Sequence, residues 1–278
     1  GDREAAHPAS GPAARPGFQL TRRQLAVPAY ALTLALIVVA PLAAPGYLLL
    51  RDAVSTPRSY LSDAALGLGE SAPRAVPQDF AVALASHAIN GGLVVKALLL
   101  AGLFVAGWGA ARLAATVVPD SGVPGQFVAA TLAIWNPYVA ERLLQGHWSL
   151  LVGYGCLPWV ARCVVRLRAG SGGDFWALAF WLALAGLTPT GLMMAAVVAL
   201  VCVAAPGAGR SRWVCATVTL VLSVAAALPW LTASMLGASL ATYQAAGVPG
   251  FEAFAARAEP GLGTLGSLAG LGGMWNAQ

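Results

Sequence analysis

Long apolar stretches alternate with short charged or proline-bearing breaks along most of this chain. The first stretch, residues 25–50 (LAVPAYALTLALIVVAPLAAPGYLLL), can cross a bilayer at about 1.5 Å per residue even when tilted. Pro41 and Pro45 are expected to kink its far end. Residues 51–80 are too polar to be embedded, since they carry Arg51, Asp52, Arg58, Asp63, Glu70, Arg74 and Asp79. Within them, Tyr60, Leu61, Ala64 and Leu68 predict a short amphipathic helix over residues 59–68, lying on the bilayer surface. Apolar stretches follow at 91–111, at 126–144 with an interruption at Asn136-Pro137, and at 148–165. Residues 175–205 are apolar but broken by TPTG at 188–191, which fits two short spans better than one long one. The last span covers 213–235, and a Gly-rich tail runs over 239–278. The pattern predicts an all-α, polytopic transmembrane helical bundle of about seven spans.

Composition sharpens this picture. Of 278 residues, 58% are apolar and 10% charged, against about 45–50% and 25% in soluble domains. Mean hydropathy is +0.72. The net charge of +5 does not form the basic stripe of a nucleic-acid-binding protein, and the positive-inside rule accounts for it. Cys156, Cys163, Cys202 and Cys215 all lie in apolar stretches, with no CxxC or Cys/His ligand spacing, and read as small buried hydrophobes. The chain opens GDREAAHPASG without an initiator Met and stops in GTLGSLAGLGGMWNAQ, which reads as a fragment of a longer protein. Residues 1–24 read as a disordered cytoplasmic tail, and the first apolar run is too long for a cleaved signal peptide. Residues 25–278 read as a truncated membrane core. Placing the N-terminus inside puts Arg3, Arg15, Arg22, Arg23, Arg112, Arg166, Arg168, Arg210 and Arg212 on the inner side. It leaves Arg51, Arg58, Arg74, Arg142 and Arg257 outside. The same orientation gathers the 51–80 loop, the 145–147 turn, the TPTG turn and the tail at the outer face.

Chemistry has three candidate seats there. Asp52 follows the first span at the water boundary beside Arg51. It reads either as an interfacial ion pair or as a partly desolvated general base. Asp63 is the best second carboxylate of the loop, while Asp79 reads as a helix cap and Glu70 as a solvated acid. Two acids at one site can hold a divalent cation with substrate oxygens completing its shell, although no DxD spacing supports one, and the residues call for no other cofactor. Lys96, near the outer end of the second span, either snorkels or joins Arg58 and Arg142 in holding a phosphate. In WNPYVAERLLQGHW, residues 135–148, Asn136-Pro137 breaks the helix. The spacing puts Glu141, Arg142 and Gln145 on one face, with His147 and Trp148 at the boundary. Glu141–Arg142 reads as a structural ion pair or as a functional pair, and His147 as a hydrogen-bonded surface group or a catalyst. There is no P-loop, GxSxG or HExxH, and GLGTLGSLAGLGG has no βαβ setting for a dinucleotide.

RDAVSTPRSYLSDAALGLG, APRAVPQDF and WNPYVAERLLQGHWSLLVGYGCLPW together resemble a group of actinobacterial, mycobacterial-type multi-pass membrane proteins. These in turn resemble the membrane core of the GT-C glycosyltransferases, above all the arabinofuranosyltransferases. The resemblance covers residues 25–278. It implies a polyprenyl-phosphate sugar donor, an envelope glycan acceptor, a lipid bilayer as surroundings and a place in the cytoplasmic membrane. It further implies that Asp52 stands where the family's catalytic base stands. The chain departs from the family in lacking a clear second acid beside Asp52. A transporter or flippase of lipid-linked precursors, or a non-catalytic assembly protein, are the alternatives the broken helices leave open.

Overall fold

The structure, a computed structural model, describes residues 22–49, 51–63, 65–68, 75–240, 261 and 263–270, and among these there is no strand. Ten α-helices appear in chain order: α1 (Arg22–Val39), α2 (Gln78–Ser86), α3 (Gly91–Val117), α4 (Gly122–Ile134) and α5 (Pro137–Leu144). They continue with α6 (Trp148–Arg168), α7 (Asp174–Ala185), α8 (Pro189–Val203), α9 (Arg212–Leu240) and the isolated α10 (Gly263–Ala269). Four segments are long and apolar enough to cross a membrane: Leu25–Ala43, Gly91–Val117, Trp148–Arg168 and Arg212–Leu236. α7 and α8, with 12 and 15 residues, are apolar but shorter. Outward-facing Ile37, Leu132, Val197, Val201 and Val221 are exposed. So broad an apolar exterior suits a lipid surround rather than water.

Helix α6 is the spine. On one side it joins α1, α3 and α5 around Leu99, Leu103, Ile134 and Leu151. On the other it joins α7, α8 and α9 around Val160, Val164, Leu178 and Leu182. Small residues let the backbones approach, as expected where lipid replaces the hydrophobic drive. A Cβ on Gly155 of α6 would stand 2.5 Å from the carbonyl oxygen of Gly102 on α3, and one on Gly153 would stand 2.8 Å from Gly191 Cα on α8.

Two expectations change at the end of the bundle that carries Trp148. The first span does not run on to residue 50. It tightens into a 3-10 turn, Ala40–Ala43, and stops. Pro45 lacks an N–H and drives Ala44 to ψ 150°, out of helical space. Nor do residues 59–68 form a surface helix. Their described positions are irregular or in turns. Ser59 is pinned at both backbone groups: its N–H donates to Ser86 Oγ, and its carbonyl accepts from the same hydroxyl, each at 3.0 Å. The helix of this loop is α2, which packs Val82, Ala83 and Ser86 inward against α3. The tail expected over residues 1–24 and the one over 239–278 lie mostly outside the described residues, as do Glu70 and Arg74.

Candidate functional site

The Asn-Pro break positions the site. Asn136 Oδ1 accepts from Val139 N–H at 3.0 Å and caps α5, while its Nδ2 donates to the carbonyls of Leu132 and Ala133 at the end of α4. Tyr154 O–H, from α6, also donates to Ala133 O at 2.9 Å. The carbonyls that proline frees inside an apolar bundle are thereby satisfied. Helix α5 is then short, and Gly146, in the left-handed region at φ 75°, reverses the chain. The reversal returns His147 N–H to Arg142 O at 2.9 Å, which stacks the imidazole over the last turn of α5.

Four side chains form one line across this turn. Glu141 Oε2 stands 4.0 Å from Arg142 Nη2, Arg142 Nη1 3.0 Å from His147 Nδ1, and His147 Nε2 2.7 Å from Asp52 Oδ2. Glu141 and Arg142 are buried. Asp52 keeps 70% of its side chain open, against 27% for His147, so the far end of the line faces open space. The loop is tied to the turn a second time by Asp52 N–H, which donates to Gln145 O. Arg142 also lies 5.4 Å above the Tyr138 ring, a cation–π geometry.

Cavities of contrasting character surround Trp148. A polar one of about 420 Å³ is lined by Asp52, Ser55, Thr56, Ser59, Gln78 and Asp79 among others. It shares Asp52, Gln78 and Trp148 with a larger one, about 490 Å³, that reaches His147 and the Thr188–Thr190 turn. Behind them an apolar groove of about 230 Å³ is bounded by Leu42, Leu48, Leu49 and Leu99, and its one charged wall residue is Arg142. Trp148 lines all three. Among the described residues, the polar cavity has two carboxylates and no lysine or arginine in its wall, and the apolar groove has one arginine and no carboxylate.

The chain matches no protein-family model, no curated protein and no solved structure.

The candidate residues thus separate. Asp52, Glu141, Arg142 and His147 come together, as does the TPTG turn through Thr188. Lys96 does not join them. Its ammonium donates to Ala44 O at 2.7 Å and Gly46 O at 2.9 Å, closing the unwound end of the first span, and it lines neither the groove nor the polar cavities. Arg58 is exposed beside the polar cavity but not in its wall, between Thr56 and Ser59, which are. Asp63 is exposed in a turn and lines none of these cavities. Asp79 is the second carboxylate instead. It occupies the first turn of α2, where a carboxylate also favours the helix dipole. Partial desolvation against the cavity wall pushes its pKa above the ordinary 3.8, opposed by the hydrogen bond from Gln78. No group of three or more His, Cys, Asp or Glu gathers among the described residues, so the loop acids do not assemble a cation site there. Sequence reading missed Asp79, Gln78 and Trp148 as wall residues. The available signal was an acid one turn into a short helix of the loop that also holds Asp52.

Proposed function

We propose that this chain is the membrane core of an inverting glycosyltransferase of the GT-C kind, moving a sugar from a polyprenyl-phosphate donor to an envelope glycan at the outer face of the cytoplasmic membrane. In this reading α4–α5, α7 and α8 complete about seven crossings with the four long helices, and the Trp148 end faces outward. The observation that carries it is the sorting of charge on the two sides of Trp148. An apolar groove with a single buried arginine suits a lipid phosphate. A hydroxyl-lined cavity with two carboxylates suits a neutral polyol and disfavours an anion.

Asp52 lines the polar cavity, and the next residue, Ala53, lines the groove. The open Asp52 carboxylate takes the proton of an acceptor hydroxyl as that oxygen bonds to the anomeric carbon. The bond from that carbon to the phosphate oxygen breaks, and the electron pair leaves with the polyprenyl phosphate. Arg142 is placed to stabilise the charge that develops there, and such electrostatic stabilisation contributes more than any other effect to a transfer of this kind. Arabinofuranose is the sugar the sequence resemblance suggests.

The test is transfer from decaprenyl-phosphoarabinose by the Asp52→Asn protein in native membranes. Loss of a general base costs about 10²–10⁴-fold in rate; transfer at the wild-type rate would remove Asp52 from the mechanism. The two proline-broken crossings, at Asn136-Pro137 and Thr188-Pro189, favour one rival, a transporter of lipid-linked precursors. Translocation of a polyprenyl-phosphate sugar by reconstituted protein, with no transfer under any acceptor, would decide for it.

A further inference from the structure

The line from Glu141 to Asp52 connects the apolar groove to the polar cavities, and it constrains where protons sit. A guanidinium offers only N–H donors and stays charged. With Arg142 Nη1 3.0 Å from His147 Nδ1, that nitrogen is the acceptor, so the ring proton lies on Nε2 and points at Asp52 Oδ2, 2.7 Å away. The same Arg142 is the charged wall of the groove. We propose that Arg142 locks His147 as the neutral Nε2–H tautomer, and that an anion taking Arg142 in the groove releases the lock, coupling groove occupancy to the proton on the His147–Asp52 pair. This deepens, and rests on, the reading of the groove as a phosphate site.

Among the described residues, the charged groups around His147 are few. The loop supplies Asp52 and its neighbour Arg51, and α5 supplies Arg142 and Glu141. Helix α2 presents Asp79 across the shared cavities, and α3 has Lys96, which is engaged with carbonyls. From α6 and the start of α8 come Trp148, Ser149, Thr188 and Thr190, none of which titrates near neutrality. In the free protein, a proton on Nδ1 would set its N–H against the guanidinium N–H, so the arrangement favours the ring proton on Nε2. An anion on Arg142 offsets the guanidinium charge and draws its donors away. Nδ1 then takes a proton, and the imidazolium remains bonded to the Asp52 carboxylate. Linkage makes the effect reciprocal: protonated His147 tightens anion binding by the same factor. His147 is a positioning residue here, since it touches Asp52 and not the substrate.

The experiment is nitrogen-15 NMR of the full chain, labelled at histidine, in nanodiscs of zwitterionic lipid. The chain has three histidines, His7, His87 and His147, and the His147 signals are those lost in His147→Gln. Without ligand, Nδ1 should resonate as unprotonated and Nε2 as protonated. Farnesyl phosphate should raise the His147 pKa by about one unit or more, a tenfold gain in proton affinity, while farnesol leaves it unmoved. A rise with inorganic phosphate as well would show that the headgroup alone suffices; a rise with farnesyl phosphate only would show that the groove must hold the chain too. Both support the coupling. In Arg142→Gln the His147 titration should be indifferent to ligand; should that variant not fold, the wild-type titration decides alone. A protonated Nδ1 in the free protein overturns the proposal, as does a His147 pKa that farnesyl phosphate leaves unchanged. Sugar transfer is not read in this experiment. An inactive protein that keeps the coupling counts only against the transferase reading, and an active one without it counts only against the lock.

Discussion

At Asn136 one side chain serves two helices, accepting from the first turn of α5 and donating to the last carbonyls of α4. Replacing it with alanine removes a cap and exposes carbonyls that have no water to turn to. A cap is worth about 1 kcal/mol and each such bond about another. With one cap and two donated bonds lost, Asn136→Ala should therefore lose about 3 kcal/mol of stability in detergent unfolding, with Asn136→Asp retaining the cap alone and falling between. The break was legible because proline has no N–H. Its repair was not, because one partner is Tyr154, 21 positions ahead of Ala133 on another helix.

Asp79 makes a second prediction at this scale. Its folded pKa is raised by desolvation, so the native state binds more protons than the unfolded chain just above the ordinary 3.8. Stability is full below that value and declines as pH rises through the raised one. Asp79→Asn should thus leave the melting temperature unchanged near pH 4 and raise it at pH 7. An equal shift at both pH values would contradict the desolvation argument. The acid itself was visible in the sequence, but its partial burial depends on how α2 docks, which no local pattern encodes.

Among elements, the ends of helices explain where expectation and structure part. Hydropathy counts residues 44–50 into the first span, because it registers apolarity and not the backbone groups that Pro41 and Pro45 leave unpaired. Lys96 satisfies two carbonyls past the helix end, Ala44 O and Gly46 O. Charge-assisted bonds of this kind contribute about 1.5–3 kcal/mol. Lys96→Met should lower stability by about that much without a selective loss of phosphate binding, which a phosphate ligand could not tolerate. The amphipathic spacing over residues 59–68 is real in the sequence, yet Ser86 ties both backbone groups of Ser59, and local periodicity yields to a tertiary contact. The α3–α6 seam makes the opposite case. Gly102 and Gly155 sit within apolar runs whose helical state was plain, but their pairing was not. Gly155→Val would drive side-chain atoms into the Gly102 carbonyl and should cost about 1–3 kcal/mol or more, whereas valine at Gly173, where no atom lies within 4 Å, should be far milder on the same unfolding scale.

For the whole molecule, the all-helical, apolar character was the most legible feature. Apolar runs separated by breaks specify how often the chain reverses, and the reversals bring Asp52, His147 and Thr188 to one end. At the other end lie Arg112, Arg166, Arg168 and Arg210, where Arg166 pairs with Asp174 and Arg168 donates to the carbonyls of Gly207 and Arg210. The positive-inside rule predicts that end in the cytoplasm, and every step of the proposed transferase reading requires that orientation, since in it the lipid donor and the glycan meet at the Trp148 end. Single cysteines can test this without any enzyme assay. Cys156, Cys163 and Cys215 are buried and Cys202 is half-buried, so native background labelling should be low. In intact cells a membrane-impermeant maleimide should label Asp63→Cys, whose parent is exposed at the Trp148 end. It should label Ser211→Cys, exposed at the arginine-rich end, only after the membrane is opened. The reverse pattern would place Asp52 and both cavities in the cytoplasm, where an outer-face glycan cannot reach them, and the transferase reading would fall while the fold stood.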